Sequence, residues 1–235
     1  MKSTSNVFIQ NIPNALTCGN IVCGCIGIIQ IFKGDLALAS YFVFIGALFD
    51  FVDGMAARAL NVKSNIGKDL DSLADMTTFG VLPGLMMYYV INVSTENDLL
   101  PFVGILLPVF SAIRLAKFNN DPRQSSDFFG LPTPANALFF ISVPLIILFD
   151  KSGLKPYFMN ANILIALIGV FSFLMVSEIK LFSLKIKSLN IKDNLWVVLL
   201  IVGANLLFYF LFFTAIPFII VLYIILSLIK NMLRK

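Results

Sequence analysis

The sequence predicts an all-α polytopic membrane protein, and three observations carry that prediction. Apolar stretches of roughly 17–25 residues recur along nearly the whole chain, each long enough to cross a bilayer. Of the 235 residues, 59% are hydrophobic and only 13% charged, too few charges for an ordinary soluble domain of this size. The apolar runs are continuous rather than alternating, which argues against a closed β-barrel.

Taken in order, the polar breaks divide the chain into about eight spans. Residues 1–13 are mixed, and read as a surface segment or a tail. Pro13 and Asn14 predict the start of the first span, about Ala15–Phe32. The turn Lys33-Gly34-Asp35 leads to the second, about Leu36–Leu60. A short polar link containing Lys63 precedes the third, about Gly67–Ile91, which Pro83 and Gly84 are expected to kink. The fourth is about Leu99–Phe118. A longer loop with paired prolines then leads to the fifth, about Ala135–Phe149. The sixth is about Tyr157–Val176. A basic loop separates it from Leu195–Phe212 and Ala215–Ile229, which read as a hairpin free of internal charge. The whole of 1–235 is expected to form one membrane domain.

An even number of spans puts both termini on one side. The loops and helix ends on that side collect Arg58, Lys63, Lys68, Arg114, Lys117, Arg123 and the lysines of 180–192. The other side keeps only Lys33, Lys151 and Lys155, so the basic side is expected to be the cytoplasm. No basic domain lies outside the membrane, which removes nucleic-acid binding. Cys18, Cys23 and Cys25 all fall in the first apolar run and read as small apolar residues rather than a disulfide framework. With no histidine in the chain, a bound metal is expected to sit among oxygens, which suits magnesium, manganese or calcium.

The chemistry concentrates between Asp50 and Asp75, in the stretch DFVDGMAARALNVKSNIGKDLDSLAD. Ionisable groups at membrane depth are costly and usually functional. Asp50, Asp53 and Ala57 share one helix face at spacings of three and four. Gly67, Asp71 and Asp75 share a face of the next helix, and the short link makes the two helices antiparallel neighbours. Four carboxylates then converge, an arrangement that divalent cations would neutralise. Gly54, Gly67 and Ala57 leave room for a ligand near the backbone, and Arg58 offers a fork of donors to a phosphate. Asp69 lies off the shared face and reads as a helix-start or surface residue. The residues alone leave three readings open: a metal site for a phosphoanhydride, a cation or proton path of a transporter, and ion pairs that merely orient helices.

Asp50, Asp53, Gly54, Ala57, Arg58, Gly67, Asp71 and Asp75 match the pattern D-x2-D-G-x2-A-R-x8-G-x3-D-x3-D without a gap. In this the chain resembles the CDP-alcohol phosphatidyltransferases. That family has a core of six transmembrane helices, is often homodimeric, and transfers a substituted phosphate from a CDP-linked donor to an alcohol, releasing CMP. The resemblance implies a catalytic core over residues 12–178, with 195–230 as an additional hairpin. It implies that Asp50, Asp53, Asp71 and Asp75 hold two metal ions and that Asp75 is the general base. Asp50, Gly54, Ala57, Arg58 and Gly67 are implied as nucleotide contacts, with Asn14 and Thr17 closing over them from the first helix.

Two later stretches, SAIRLAKFN (111–119) and FFGLPTPANA (128–137), resemble the branch of the family whose acceptor is serine. Lys117 departs from that pattern, where arginine is commoner, and loses the rigid bidentate fork. The implied activity is transfer of the phosphatidyl group of CDP-diacylglycerol to L-serine. Arg114, Lys117 and Arg123 are the candidate ligands for the acceptor or its phosphate, Arg114 foremost. Glycerol 3-phosphate or an inositol phosphate is the alternative acceptor. A cation-coupled transporter is the alternative of another class.

Overall fold

In the computed structural model, residues 4–62, 64, 66–121, 128–149, 153–184 and 194–233 are described. Ten helices make up nearly all of these: α1 Thr4–Phe32, α2 Leu36–Ala59, α3 Gly67–Asp75, α4 Leu82–Asn92, α5 Leu106–Asn120, α6 Thr133–Phe149, α7 Lys155–Phe158, α8 Ala161–Val176, α9 Leu195–Leu211 and α10 Ala215–Leu233. A π-helical turn, Met76–Val81, joins α3 to α4, and a 3-10 turn, Leu100–Ile105, leads into α5. Two short strands, β1 Phe128–Phe129 and β2 Lys180–Leu181, pair antiparallel.

Among the described residues, four stretches are long and apolar enough to cross a membrane: Asn11–Phe32, Leu36–Ala59, Leu100–Asn120 and Leu195–Leu233. Thr133–Phe149 and Ala161–Val176 are shorter apolar helices. The last long stretch is not one straight rod. Phe212 takes a positive φ, and a Cβ on Gly203 would meet Leu222 Cδ2 at 2.6 Å, so α9 and α10 fold back on each other. The outer surface is apolar, with Leu48, Phe51, Phe173 and Phe210 all well exposed. Lipid is the solvent that such a surface matches. The interior is built from Phe79, Leu82 and Met86, from Leu107, from Phe140 and Ile141, and from Leu164, every one fully buried.

Two expectations are corrected. The first helix does not start at Pro13. It starts at Thr4 and carries Pro13 inside it. Proline there removes one main-chain hydrogen bond, and the Thr17 hydroxyl oxygen lies 3.0 Å from the Pro13 carbonyl. The sixth apolar run is not one helix from Tyr157. A single turn, α7, is followed by Asn160, whose side chain accepts from the amides of Asn162 and Ile163 and caps α8. The β1–β2 ribbon is unanticipated, since neither segment has a strand pattern.

The irregularity in the third helical run falls at Met76–Val81, just ahead of Pro83 and Gly84. Single π turns in helices often mark functional positions. This one lies where three helices crowd. The Thr78 hydroxyl donates to the Asn20 carbonyl of α1 at 2.9 Å. On α2, a Cβ added to Gly46 would stand 2.7 Å from Thr78 Cγ2 and 2.8 Å from Asn20 Oδ1. Gly46→Ala is therefore expected to destabilise the protein by about 1–3 kcal/mol through overpacking. Thermal unfolding in detergent measures this, and an unchanged midpoint would contradict the close packing.

The C-terminus of α2 shapes the link to α3. Asn61 takes a left-handed backbone conformation, φ 48°. Its amide donates to Arg58 O at 3.2 Å and that of Val62 to Ala57 O at 3.1 Å. This is a Schellman ending, with asparagine in the place glycine usually takes. It turns Val62 and Ser64 back across the mouth between α1 and α3.

Candidate active site

The antiparallel pairing of α2 and α3 brings the acids together. Asp50, Asp53 and Asp71 each offer a carboxylate oxygen within 4.8 Å of the others. The carboxyl groups of Asp50 and Asp71 lie within hydrogen-bonding reach. Asp53 is buried and accepts from the Thr17 hydroxyl at 2.6 Å. The donor set is all oxygen, compact and opened on one side by a cavity. It fits a hard divalent cation, and among these acids a cation would offset the crowding of like charge.

Asp75 stands apart from that trio. It lies one turn beyond Asp71 on α3, at the edge of the π turn, and is 8% exposed. It remains within electrostatic range of Asp50, Asp53 and Asp71, but also of Arg114 on α5. Its Oδ1 has no hydrogen-bond partner. The expected convergence of four acids thus resolves into three that can share an ion and one that faces α5.

A cavity of about 440 Å³ opens over the trio. It is lined by Asn14 and Thr17 of α1, by Asp50, Asp53, Gly54 and Ala57 of α2, and by Gly67 and Asp71 of α3. Gly54 leaves open space beside Arg58, whose Nη1 would lie 3.6 Å from an added Cβ. Arg58 itself is exposed at the rim and does not line the cavity. Pro13, Val62, Ser64 and Lys68 also line it, and sequence reasoning missed them as site residues. Ser64 accepts from Asn14 Nδ2 at 2.9 Å, which ties the link to α1. Lys68 precedes Asp71 by three positions, a helix-face signal that was available in the sequence. Its ammonium donates to the Asn119 carbonyl. Thr17→Val, which keeps the shape but removes the donor to Asp53, is expected to raise the KM for a CDP-linked donor about three- to tenfold. Steady-state kinetics check this, and an unchanged KM would mean that Thr17 orients nothing.

Arg114 is 6% exposed, lies within electrostatic range of Asp75 and does not line the cavity. Its Nη1 donates to Thr133 Oγ1 at 3.4 Å, a weak bond, and its guanidinium stacks 5.0 Å from the Phe118 ring centre. Its Nε has no partner. The structure therefore places an unsatisfied carboxylate oxygen and an unsatisfied guanidinium nitrogen in the same buried region. Lys117 is placed differently. It is exposed, and its ammonium donates to the Val176 carbonyl at 3.2 Å, at the C-terminal end of α8. Arg123 lies outside the described residues.

The loop before α6 is held from behind. Gly130 has φ +75°, and a Cβ there would fall 2.3 Å from the Met175 carbonyl oxygen. Its amide donates to Ile179 O at 2.9 Å, and that of Leu131 to Leu174 O at 2.9 Å. Thr133, the partner of Arg114, follows directly and is fully buried.

Comparison with known proteins identifies the family. The family model for CDP-alcohol phosphatidyltransferases matches residues 10–174, from α1 to the end of α8. A CDP-diacylglycerol–serine O-phosphatidyltransferase of Bacillus subtilis (strain 168) is 39% identical over 175 residues, covering 72% of this chain and 88% of that protein. Enzymes of the same name are 32% identical over 185 residues in Helicobacter pylori (strain 26695), covering 77% and 75%, and 32% identical over 173 residues in Methanocaldococcus jannaschii, covering 73% and 74%. With the acidic signature folded into one oxygen-lined site and most of the chain matched, this protein belongs to the CDP-alcohol phosphatidyltransferase family.

Proposed function

We propose that the protein transfers the phosphatidyl group of CDP-diacylglycerol to the hydroxyl of L-serine, giving phosphatidylserine and CMP. The observation that carries the choice of acceptor is the pair of unsatisfied buried groups, Asp75 Oδ1 and Arg114 Nε. A zwitterionic amino acid with a hydroxyl suits both. Its carboxylate pairs with Arg114, and its hydroxyl turns to Asp75. Both groups come from outside the part of the site that faces the nucleotide. The names of the relatives support the same acceptor.

In this reading the cavity over α1–α3 takes the cytidine diphosphate. Asn14, Thr17, Gly54, Ala57 and Gly67 shape it, and Arg58 reaches a phosphate from the rim. Asp50, Asp53 and Asp71, with Asp75 at the edge, would hold two cations, magnesium, manganese or calcium, which would neutralise charge on the diphosphate. Asp75 takes the proton of the serine hydroxyl. The serine oxygen forms a bond to the phosphorus that carries diacylglycerol, and the bond from that phosphorus to the oxygen retained by CMP breaks. Positioning and electrostatics supply most of the acceleration. Arg114 is the acceptor's cation in this account. Lys117, engaged with α8, contributes to the architecture behind it, and Lys117 and Arg123 remain further candidate ligands for the acceptor or its phosphate.

The wider organisation accords with the same reading. We take residues 12–178 as the catalytic core and 195–230 as a hairpin added to it, about eight spans in all. The asymmetry of lysine and arginine supports a cell-membrane protein with both termini and the site in the cytoplasm. A homodimer is the expected assembly for the family. Purified protein in lipid, given CDP-diacylglycerol, a divalent cation and one labelled alcohol at a time, tests the acceptor. Phosphatidylserine is expected with serine. Product with glycerol 3-phosphate or an inositol phosphate and none with serine would overturn the choice.

A further inference from the structure

The family match ends at residue 174, so the segment after α8 and the α9–α10 hairpin lie outside it. The contacts of α10 give this part of the chain a role. Residues Tyr223, Ser227, Lys230 and Asn231 recur at helical spacing and face one stretch, Lys180–Phe182. The Tyr223 hydroxyl donates to Phe182 O at 2.9 Å, and its ring meets the Phe182 ring edge-on at 5.1 Å. Ser227 Oγ accepts from the Phe182 amide at 3.5 Å. Asn231 Nδ2 donates to Lys180 O at 2.7 Å, and the Lys230 ammonium lies 5.1 Å from the Phe182 ring centre.

This is how a two-stranded ribbon survives inside a helical protein. β2 has one strand partner, so the outward main-chain groups of 180–182 need other partners once Leu181 and Phe182 are buried. Side chains of α10 supply them. The other edge of the ribbon fixes Phe128–Phe129, with Lys180 over the Phe129 ring at 5.4 Å. Phe129 leads within four residues to Thr133 and hence to Arg114. Tyr223 also lies within electrostatic range of Arg114 itself.

We propose that α10 is a positioning element for the acceptor pocket: its Tyr223–Asn231 face clamps the β2 strap, which sets the register of the 128–133 loop and the pose of Arg114. Tyr223 and Asn231 are positioning residues and touch no substrate. This role for α10 rests on serine being the acceptor.

Tyr223→Phe removes one hydroxyl and keeps the ring contact, and Asn231→Ala removes one amide near the helix end. In the full-length protein in lipid, each is expected to raise the KM for serine about three- to tenfold, the scale of one lost hydrogen bond. The KM for CDP-diacylglycerol is expected to stay within about twofold, because the nucleotide cavity shares none of these contacts. A selective rise in either variant supports the clamp, even if the other folds poorly. An unchanged serine KM in folded variants would overturn it. So would a parallel rise in both KM values, which marks general loosening. If the wild-type protein makes no serine-dependent product, the underlying reading fails first and takes this inference with it.

Discussion

Asp75→Asn is expected to lower kcat by about 10²–10⁴-fold, the usual contribution of a positioned general base. Asparagine keeps the volume and planarity of the side chain but cannot accept the hydroxyl proton. The position is well suited to that role. Asp75 is buried, its Oδ1 is unsatisfied, and it lies within electrostatic range of both the Asp50–Asp53–Asp71 trio and Arg114. Folding should change little, since the substitution removes one of four neighbouring carboxylates and keeps the shape. The KM for CDP-diacylglycerol should change far less than kcat, because Asp75 does not line the nucleotide cavity and stands only at the edge of the acids proposed to hold the cations. Rapid-quench or steady-state measurement of phosphatidylserine formation checks this. Turnover within about threefold of wild type would remove Asp75 as the base.

Asp71→Asn, or chelation of divalent cations, is expected to reduce turnover by about 10³-fold or more, the equivalent of several kcal/mol of charge stabilisation. The effect on stability should run the other way. Two ionised carboxylates within 4.8 Å of each other repel by about 3.5 kcal/mol or more at an effective dielectric near 20. In chelator, Asp71→Asn should therefore unfold at a higher temperature than wild type. Adding magnesium or manganese should reverse that order, since a cation at about one hundred times its Kd stabilises the wild-type fold by about 2.7 kcal/mol. A variant that loses activity and is less stable in both conditions would mean that Asp71 serves packing instead.

The division between what the sequence exposed and what it hid has physical causes. The acids were legible because helical periodicity is local: spacings of three and four put Asp50 with Asp53 and Asp71 with Asp75 on single faces. The short link to Gly67 then leaves little choice but an antiparallel pair. Asn61 was legible in principle as a helix-ending residue, yet a lone asparagine after an apolar helix is a weak signal. Pro13 misled, because a proline that starts helices in water is tolerated inside a helix in an apolar setting. The π turn that follows directly on Asp75 was hidden, since nothing in MTTFGV announces a widened turn. The ribbon depends on pairing between residues 128–129 and 180–181, which is set by tertiary packing and leaves no period to read. For the same reason the hairpin reads as plain in the sequence. Its polar face, Tyr223 to Asn231, acquires meaning only when the strap it holds is in view.

The most direct test of the account is the stoichiometry of CMP release. Full-length protein in lipid, with CDP-diacylglycerol and a divalent cation, should release CMP only when serine is added, one CMP for each phosphatidylserine formed. CMP released at the same rate without serine, with phosphatidic acid as the lipid product, would contradict it, because water rather than a serine hydroxyl would then be the acceptor.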